Sequence, residues 1–331
     1  MRSFGIRKEE DAVSQPTIAI LLATYEPRED WLIELLCSLN EQSYPALHLY
    51  VRDDASPAFS CARLRELLET HITRFPYTLL SNEQNLGSNG TFAALVTDAT
   101  EPYIAFCDQD DIWLPDKLKN TMELLQSSPL SPTLVCANVS VIDGGGKPIA
   151  DRMEAHRKRH VFLRGEGLAP TLIYRNFVMG CTVVMERERA VSYLPFPNEL
   201  VHDHYLAFRA ALDGAIDFLA EPQMRYRVYG GNQTGVMTGV CTKQDYLERR
   251  IRVFDGRIRA LERVADLPAL REARRWCDAR LANFDREPGS FRALWRLRHV
   301  NFVTTLFELL ALRFSTPLFR WAIGLIRRGM L

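Results

Sequence analysis

At 331 residues, with 47% hydrophobic and 25% charged side chains, the chain has the composition of a soluble globular protein able to bury a large core, as one big domain or two modest ones. Its seven cysteines (37, 61, 107, 136, 181, 241 and 277) are odd in number and include no Cys-x-x-Cys pair, which speaks against a disulfide framework or structural zinc site and for reduced thiols in a cytoplasmic protein. The net charge of +0 hides an asymmetry, since residues 1–240 carry 22 Lys+Arg against 31 Asp+Glu and residues 241–331 carry 19 against 10. An acidic body disfavours a nucleic-acid surface, whereas the basic tail suits an anionic partner such as a membrane. Residues 1–15 are polar and charged, which predicts an N-terminal tail with no signal peptide.

Residues 16–25 form a continuous apolar run closing on Thr24 and Tyr25, as in a central parallel strand covered on both faces. A helix is predicted over residues 28–42, where Trp31, Leu32, Leu35, Leu36 and Leu39 recur at helical spacing. A second strand, 46–51, ends in Arg52-Asp53-Asp54-Ala55-Ser56; a helix over 61–75, a strand at 77–80, the turn Asn85-Leu86-Gly87 and a helix over 88–97 follow. Residues 102–107 then form a buried strand that delivers Asp108-Gln109-Asp110-Asp111, with a new helix starting near Pro115. This alternation defines an α/β fold, a mainly parallel sheet flanked by helices.

The acids thus fall at strand carboxyl ends, where open α/β sheets bind ligands. Clustered carboxylates repel one another unless a cation joins them, and hard oxygen ligands suit Mg²⁺ or Mn²⁺, which commonly bridge carboxylates to nucleotide phosphates. Two acids before a helix are also ordinary capping chemistry, so the flanking motifs decide. Neither a Gly-x-Gly-x-x-Gly after the first strand nor a Gly-x-x-x-x-Gly-Lys-Ser/Thr occurs, which disfavours a dinucleotide-binding oxidoreductase and a P-loop nucleotidase. Aromatic, hydroxyl and carboxylate groups at neighbouring strand ends suit a base, a ribose and a metal-bound diphosphate instead.

Together, Ala23-Thr24-Tyr25, Asp53-Asp54-Ala55-Ser56, Asn85-Leu86-Gly87 and Phe106-Cys107-Asp108-Gln109-Asp110-Asp111-Ile112-Trp113 resemble glycosyltransferase family 2, in particular its bacterial rhamnosyltransferase-like branch, over about residues 16–235. The resemblance implies a GT-A fold, a nucleotide-diphospho-sugar donor, a divalent metal and transfer with inversion at the anomeric carbon. It implies that Asp53 accepts a hydrogen bond from the imide of uracil or thymine, that Thr24, Tyr25 and Asn85 also serve the donor nucleotide, that Asp108 lies towards the ribose and that Asp110 binds the metal. Asp111 stays open between a capping or supporting acid and a further ligand, and Trp113 reads as core or pocket wall. Relatives often carry Asn four residues beyond Gly87; this chain departs from them with Thr91.

Further on, His202-Asp203-His204-Tyr205 opens a helix to about residue 212. Alone, Asp203 reads as a cap; the resemblance makes it the catalytic base that takes the acceptor hydroxyl's proton. The charges on His202 and His204 would raise or lower its proton affinity. In Tyr226-Arg227-Val228-Tyr229-Gly230-Gly231-Asn232 the chain has Tyr229 where relatives often have a His that approaches the metal, which leaves water or diphosphate oxygens to complete the coordination. Arg227 is open between neutralising the donor diphosphate and a structural ion pair.

Elsewhere, residues 133–142 read as a strand and 143–148 as a hairpin turn, with Gly144-Gly145-Gly146 lacking the strand-to-helix setting of a phosphate cradle. The charged segment 151–164 is a solvated loop or a lid over the site, and its His156 and His160, without a third ligand, do not make a zinc site. Residues 177–185 read as a buried strand, with further strands at 215–220 and 224–228. The domain boundary is expected near residue 240, followed by a basic helical extension, 241–331. In it, residues 291–331 hold seven arginines and one acid, Glu308, among aromatics, and the apolar run between Arg298 and Arg313 is too short to span a bilayer. Helices lying on a membrane face are expected; packing on the core or on a second subunit, as in a homo-oligomer, is the alternative.

The expectation is therefore an inverting, metal-dependent glycosyltransferase, peripheral on the inner face of the cell membrane. It would move a sugar from a nucleotide-diphospho-sugar to a surface polysaccharide or lipid-linked saccharide, with L-rhamnose from dTDP-rhamnose implied by the branch resemblance. A sugar-nucleotide nucleotidyltransferase would need a Gly-rich basic loop after the first strand, which Glu26-Pro27-Arg28 does not supply. A non-catalytic carbohydrate-binding or scaffold protein is opposed by intact Asp108, Asp110 and Asp203.

Overall fold

The alternation of apolar runs and amphipathic segments builds a three-layer α/β/α body in a computed structural model that describes residues 15–158, 160–229 and 239–327. The expected N-terminal tail, apart from Gln15, and the segment 230–235 lie outside the described residues. In chain order the first half comprises β1 (Ile18–Thr24), α1 (Glu29–Asn40), β2 (Leu47–Asp53), α2 (Cys61–His71), β3 (Tyr77–Ser81), α3 (Gly87–Asp98), β4 (Tyr103–Cys107), β5 (Ile112–Trp113) and α4 (Lys117–Ser127). Then come β6 (Leu134–Asp143), β7 (Pro148–Ala150), α5 (Met153–His156), α6 (Ala169–Tyr174), β8 (Val184–Glu186), α7 (Arg187–Ser192), α8 (His202–Asp213) and β9 (Ile216–Val228).

The sheet order is β3-β2-β1-β4-β8-β6-β9-β5, with β7 paired to β6. Strands β3, β2, β1 and β4 are mutually parallel, as the alternation predicts, while β8 is antiparallel to both β4 and β6. The sheet as a whole is thus mixed. The central strands β1 and β4 are apolar because both faces are covered: in β1, Ala19 and Leu21 enter the core beneath α3 and α8, and Ile18, Ile20 and Leu22 enter the core beneath α1 and α2.

Two sequence expectations change. The apolar stretch 177–185 is a strand only at Val184–Glu186; before it, a 3₁₀ turn at Gly180–Thr182 is held by the Thr182 hydroxyl donating to the Met179 carbonyl at 2.7 Å. Apolar composition reported burial there, not extension. The strands expected at 215–220 and 224–228 are one strand, β9, whose pairing with β6 shifts register around Asn138, opposite Pro222. Proline has no N–H for the ladder, so the irregularity falls where it sits.

Beyond the sheet, α9 (Lys243–Tyr246) continues through a π-helical turn, Leu247–Arg252, into α10 (Val253–Glu262), followed by α11 (Pro268–Phe284), α12 (Ser290–Arg296), α13 (Phe302–Ala311) and α14 (Thr316–Arg327). Phe254, Ile258, Leu270, Trp276, Leu294 and Leu309 from these helices belong to the same apolar core as α6 and α8. The acid of the apolar run, Glu308, is buried: Arg280 donates to it from Nε at 3.0 Å and from Nη2 at 2.6 Å, and the Tyr246 hydroxyl donates at 2.8 Å. A buried charge pair is tolerable when its polar atoms are satisfied in this way.

Candidate active site

Parallel strands β2, β1 and β4 are neighbours in the sheet, and their carboxyl ends carry the Thr24-Tyr25, Asp53-Asp54 and Asp108–Asp111 motifs. At the first end, the Thr24 hydroxyl donates to Asp53 Oδ1 at 3.1 Å. Ser56 caps the same carboxylate, with its hydroxyl on Oδ1 at 2.7 Å and its N–H on Oδ2 at 2.8 Å. Asp53 is therefore buried and fixed in direction, with one of its four acceptor positions unused by these bonds. Thr24 orients Asp53, and Tyr25 stands exposed at the rim.

The β1–α1 and β2–α2 loops are bolted together. Glu26 N–H donates to the Ser56 hydroxyl at 2.8 Å, and the Glu26 carboxylate accepts the Ala58 N–H at 2.7 Å. Glu26 and Ala55 both adopt positive φ, at 43° and 57°, in backbone regions that cost free energy for residues with a Cβ. Such strain persists where surrounding bonds over-determine the loop, as they do here.

Asp54 has a role the sequence did not reveal. Its carboxylate accepts the N–H groups of Leu86 at 2.7 Å and Gly87 at 2.9 Å, closing the start of α3. Asn85 completes the turn, accepting the Gly87 N–H at 3.1 Å, and Gly87 takes φ 70°, which favours glycine. Thr91 is buried, accepting from the Asn82 amide at 3.0 Å.

At the end of β4, Gln109 reaches across to Tyr25. Its Oε1 accepts the Tyr25 N–H at 2.8 Å and its Nε2 donates to the Tyr25 carbonyl at 3.1 Å. Asp110 follows, half-buried, lining a cleft of about 300 Å³ with Glu26, Arg28, Trp31, Gln109 and Tyr229. The Tyr229 hydroxyl donates to Asp110 Oδ2 at 2.7 Å, and its ring lies 4.7 Å from that of Trp31.

Arg227 braces this turn from behind. Its buried guanidinium pairs with Glu34, donates from Nε to the Asp110 carbonyl at 2.8 Å, and approaches the Asp143 carbonyl at 3.4 Å. These partners show that the ion pair, one of the two roles left open by the sequence, is formed. Asp111 is wholly buried, with Oδ1 accepting the Arg227 N–H at 2.9 Å and Oδ2 lacking a partner among the described residues. It supports the turn from inside.

Burial sets the electrostatics. Desolvation, then the charges of Asp110 and Asp203, push the Asp108 carboxyl up to about 7. Asp110 is raised by desolvation, and Asp111 lies well above the carboxylate range for the same reason. Beneath them the fully buried Lys117 ammonium sits 3.0 Å from the centre of the Trp113 ring, lowered to about 8 by desolvation. Sequence reasoning missed Lys117, because a lysine at a helix start reads as exposed.

Among the described residues, one His, Cys, Asp or Glu group has ligand atoms within 4.8 Å of one another: Asp108, Asp111 and Cys181. Its thiol, held protonated by burial, is a poor partner for a hard cation. The carboxylates of Asp110 and Asp108, half-buried at the cleft and raised by burial, fit Mg²⁺ or Mn²⁺ better, since a cation would offset the cost of ionising them together.

Across the cleft, Asp203 lies in the first turn of α8. Its Oδ2 accepts the Gly180 N–H at 3.3 Å and its Oδ1 accepts the His204 N–H at 2.5 Å, while desolvation raises the carboxyl to about 6. Gly180 eases this approach: a Cβ there would stand 3.1 Å from the Asp203 Cβ and 3.3 Å from His202 Nε2, so these groups would have to shift by a few tenths of an ångström. Burial lowers both His202 and His204 to about 3, so both are neutral near pH 7 and neither adds a charge to Asp203. His202 instead packs on Phe92, with ring centres 4.4 Å apart.

A mixed α/β sheet with acids gathered at the ends of adjoining strands and a carboxylate facing them from a helix start is the architecture of enzymes that transfer sugars from nucleotide donors. Residues 19–187 match the model of Glycosyl transferase family 2, about half of the chain, and the protein belongs to that family. A dTDP-rhamnosyl transferase of Shigella flexneri is 26% identical over 232 residues, covering 65% of this chain and 73% of that protein. In fold, the chain resembles Staphylococcus aureus TarS 1-349, solved in complex with UDP-GlcNAc, with a TM-score of 0.60, 17% identity and coverage of 95% of this chain and 92% of that one. It also resembles a mannosyltransferase from Pyrobaculum calidifontis, solved with GDP-Man and Mn²⁺, with a TM-score of 0.55, 18% identity and coverage of 96% and 87%. The chain is thus a glycosyltransferase with a GT-A-type body and C-terminal helices.

Proposed function

We propose that this glycosyltransferase moves L-rhamnose from dTDP-rhamnose, with inversion and with the help of a divalent metal, onto a saccharide hydroxyl of a surface polysaccharide or lipid-linked intermediate. The observation that carries the mechanism is the nearness of Asp108, in the turn after β4 that also holds Asp110, to Asp203 at the start of α8: the charges of Asp110 and Asp203 both help to raise Asp108, and Asp203 itself is poised at about 6. The rhamnose assignment rests on the Shigella flexneri relative. An acceptor carried on lipid would hold the chain peripherally on the inner face of the cell membrane.

In this mechanism Asp53 receives the imide N–H of thymine on its remaining acceptor position, and Tyr25 covers the base from the rim. Asn85 shapes the turn beside them. Asp108 lies towards the ribose. Asp110, with Asp108 beside it, would hold the metal; when bound, Mg²⁺ or Mn²⁺ would supply positive charge to the diphosphate. Asp203, ionised above about pH 6, takes the proton of the acceptor hydroxyl as that oxygen forms its bond to the anomeric carbon. The carbon's bond to the diphosphate oxygen breaks at the same time, and its electron pair leaves with dTDP. Attack from the face opposite the leaving group inverts the centre.

The test is turnover of dTDP-, UDP- and GDP-sugars, each with Mg²⁺, Mn²⁺ or EDTA. Selective use of dTDP-rhamnose, abolished by EDTA and restored by metal, is expected; efficient transfer from GDP-sugars, or full activity in EDTA, would overturn the assignment.

A further inference from the structure

Helix α13 is amphipathic in an unusual sense, because it buries polar groups on its inner face and exposes large apolar ones on its outer face. The inner face carries Thr305, Glu308 and Leu309, all buried. It is pinned to α11 through Trp276 Nε1, which donates to Thr305 at 2.9 Å, and through the Arg280–Glu308 pair. The outer face carries Phe302, Val303, Leu306 and Leu310, with relative exposures of 53%, 65%, 37% and 51%. Spacings of four residues set Phe302, Leu306 and Leu310 in one row.

The neighbouring helices extend this pattern. Helix α13 packs against both α12 and α14, which expose Trp295 and Trp321 respectively. Of the sixteen large apolar side chains exposed among the described residues, eight fall between 291 and 321, about a tenth of the chain, so the exposure is concentrated and not scattered. Arg292, Arg296, Arg298 and Arg320 are exposed in the same span, and its single acid, Glu308, is buried against Arg280. Arg298 stacks over Trp295 at 4.7 Å. Among the described residues, no helix is long and apolar enough to cross a membrane.

We propose that the outer face of α12–α14 is a preformed docking surface for an anionic lipid bilayer, with Phe302, Val303, Leu306 and Leu310 entering the interface and Arg292, Arg296, Arg298 and Arg320 meeting the headgroups. This deepens the peripheral-membrane reading above and does not depend on the donor sugar. The charge around the patch selects this occupant. A second copy of the chain would bring a like-charged arginine rim against itself, whereas an anionic surface complements it and indole rings favour the lipid–water boundary. Because the inner face is anchored by buried bonds, the surface is presented without refolding.

The test is flotation of the full-length protein with vesicles of phosphatidylcholine alone or with 30% phosphatidylglycerol, alongside light scattering without lipid. Binding to the anionic vesicles at least about tenfold tighter than to neutral ones, and weakened by salt, is expected. Val303→Glu with Leu310→Glu should reduce binding to either vesicle, and Arg296→Glu with Arg298→Glu should remove the anionic preference. All four positions are exposed and distant in sequence from the active site, so transfer to a water-soluble acceptor should be unchanged in both variants. Equal binding to both vesicles, or no binding, overturns the proposal. Dimerisation abolished by the Val303 and Leu310 changes, without vesicle binding, would make the face a subunit interface instead. Rhamnosyl transfer could fail while flotation succeeds, so the two readings fall separately.

Discussion

Gln109 grips the main chain of Tyr25 with both atoms of its amide, accepting the N–H at 2.8 Å and donating to the carbonyl at 3.1 Å. The rim residue is thereby tied to the turn that carries Asp108 and Asp110. Gln109→Glu removes the donor and sets a carboxylate oxygen against the Tyr25 carbonyl. The donor KM should rise roughly tenfold, with a smaller fall in kcat, because a lost hydrogen bond at the exposed rim and a repulsive contact are together worth about 1–2 kcal/mol. Steady-state kinetics with varied donor would check this, and an unchanged KM would deny the clasp a part in donor binding.

Gly180→Ala tests the seat of Asp203. The added methyl would stand 3.1 Å from the Asp203 Cβ, which is anchored in the first turn of α8 and has little freedom to retreat. We expect kcat to fall by roughly tenfold to a hundredfold, since small misplacements of a reacting group are costly, while donor affinity stays near wild type. Measuring transfer and nucleotide binding on the same preparation separates the two effects.

Activity and stability should respond to pH in opposite senses. A base must be ionised, so kcat/KM should fall as pH drops through about 6, the value to which burial raises Asp203. For stability, folded Asp108 holds its proton up to about 7 while the unfolded carboxyl releases it near its ordinary 3.8. The folded state therefore binds more protons across that window, and stability is lost as pH rises through it. Asp203 acts in the same direction. Metal-free protein should melt at higher temperature at pH 5 than at pH 8, and Mn²⁺ should raise the melting temperature more at pH 8. Calorimetry with and without metal checks both signs.

Arg280→Met should destabilise the protein by about 3–5 kcal/mol, because it strands the Glu308 carboxylate in the core with only the Tyr246 hydroxyl for company. The double change Arg280→Met with Glu308→Leu should recover most of that loss. Urea denaturation of the three proteins would show it.

Much of the fold was legible because β1 and β4 are apolar on both faces and α1 keeps one buried stripe, patterns that residue order carries directly. The strand-end acids were legible for the same reason: each follows an apolar run. Relations across the chain were not. Nothing local says that Gln109 will reach Tyr25, 84 residues earlier, or that Asp54 will close the first turn of α3. Arg227 was ambiguous because its direction depends on Glu34 and on the turn at Asp110, which meet it only in the folded sheet. The stretch 177–185 misled because a buried loop and a buried strand share the same apolar composition.

The central claim is that Asp203 removes the acceptor proton. Asp203→Asn keeps the size of the side chain and one acceptor oxygen, enough for the Gly180 or the His204 N–H but not both, and it cannot act as a base. The decisive measurement pairs donor binding, by calorimetry with dTDP-rhamnose and Mn²⁺, with the rate of transfer to acceptor. Binding close to wild type with transfer reduced roughly 10²–10⁴-fold is the predicted result. Undiminished transfer by Asp203→Asn would contradict it.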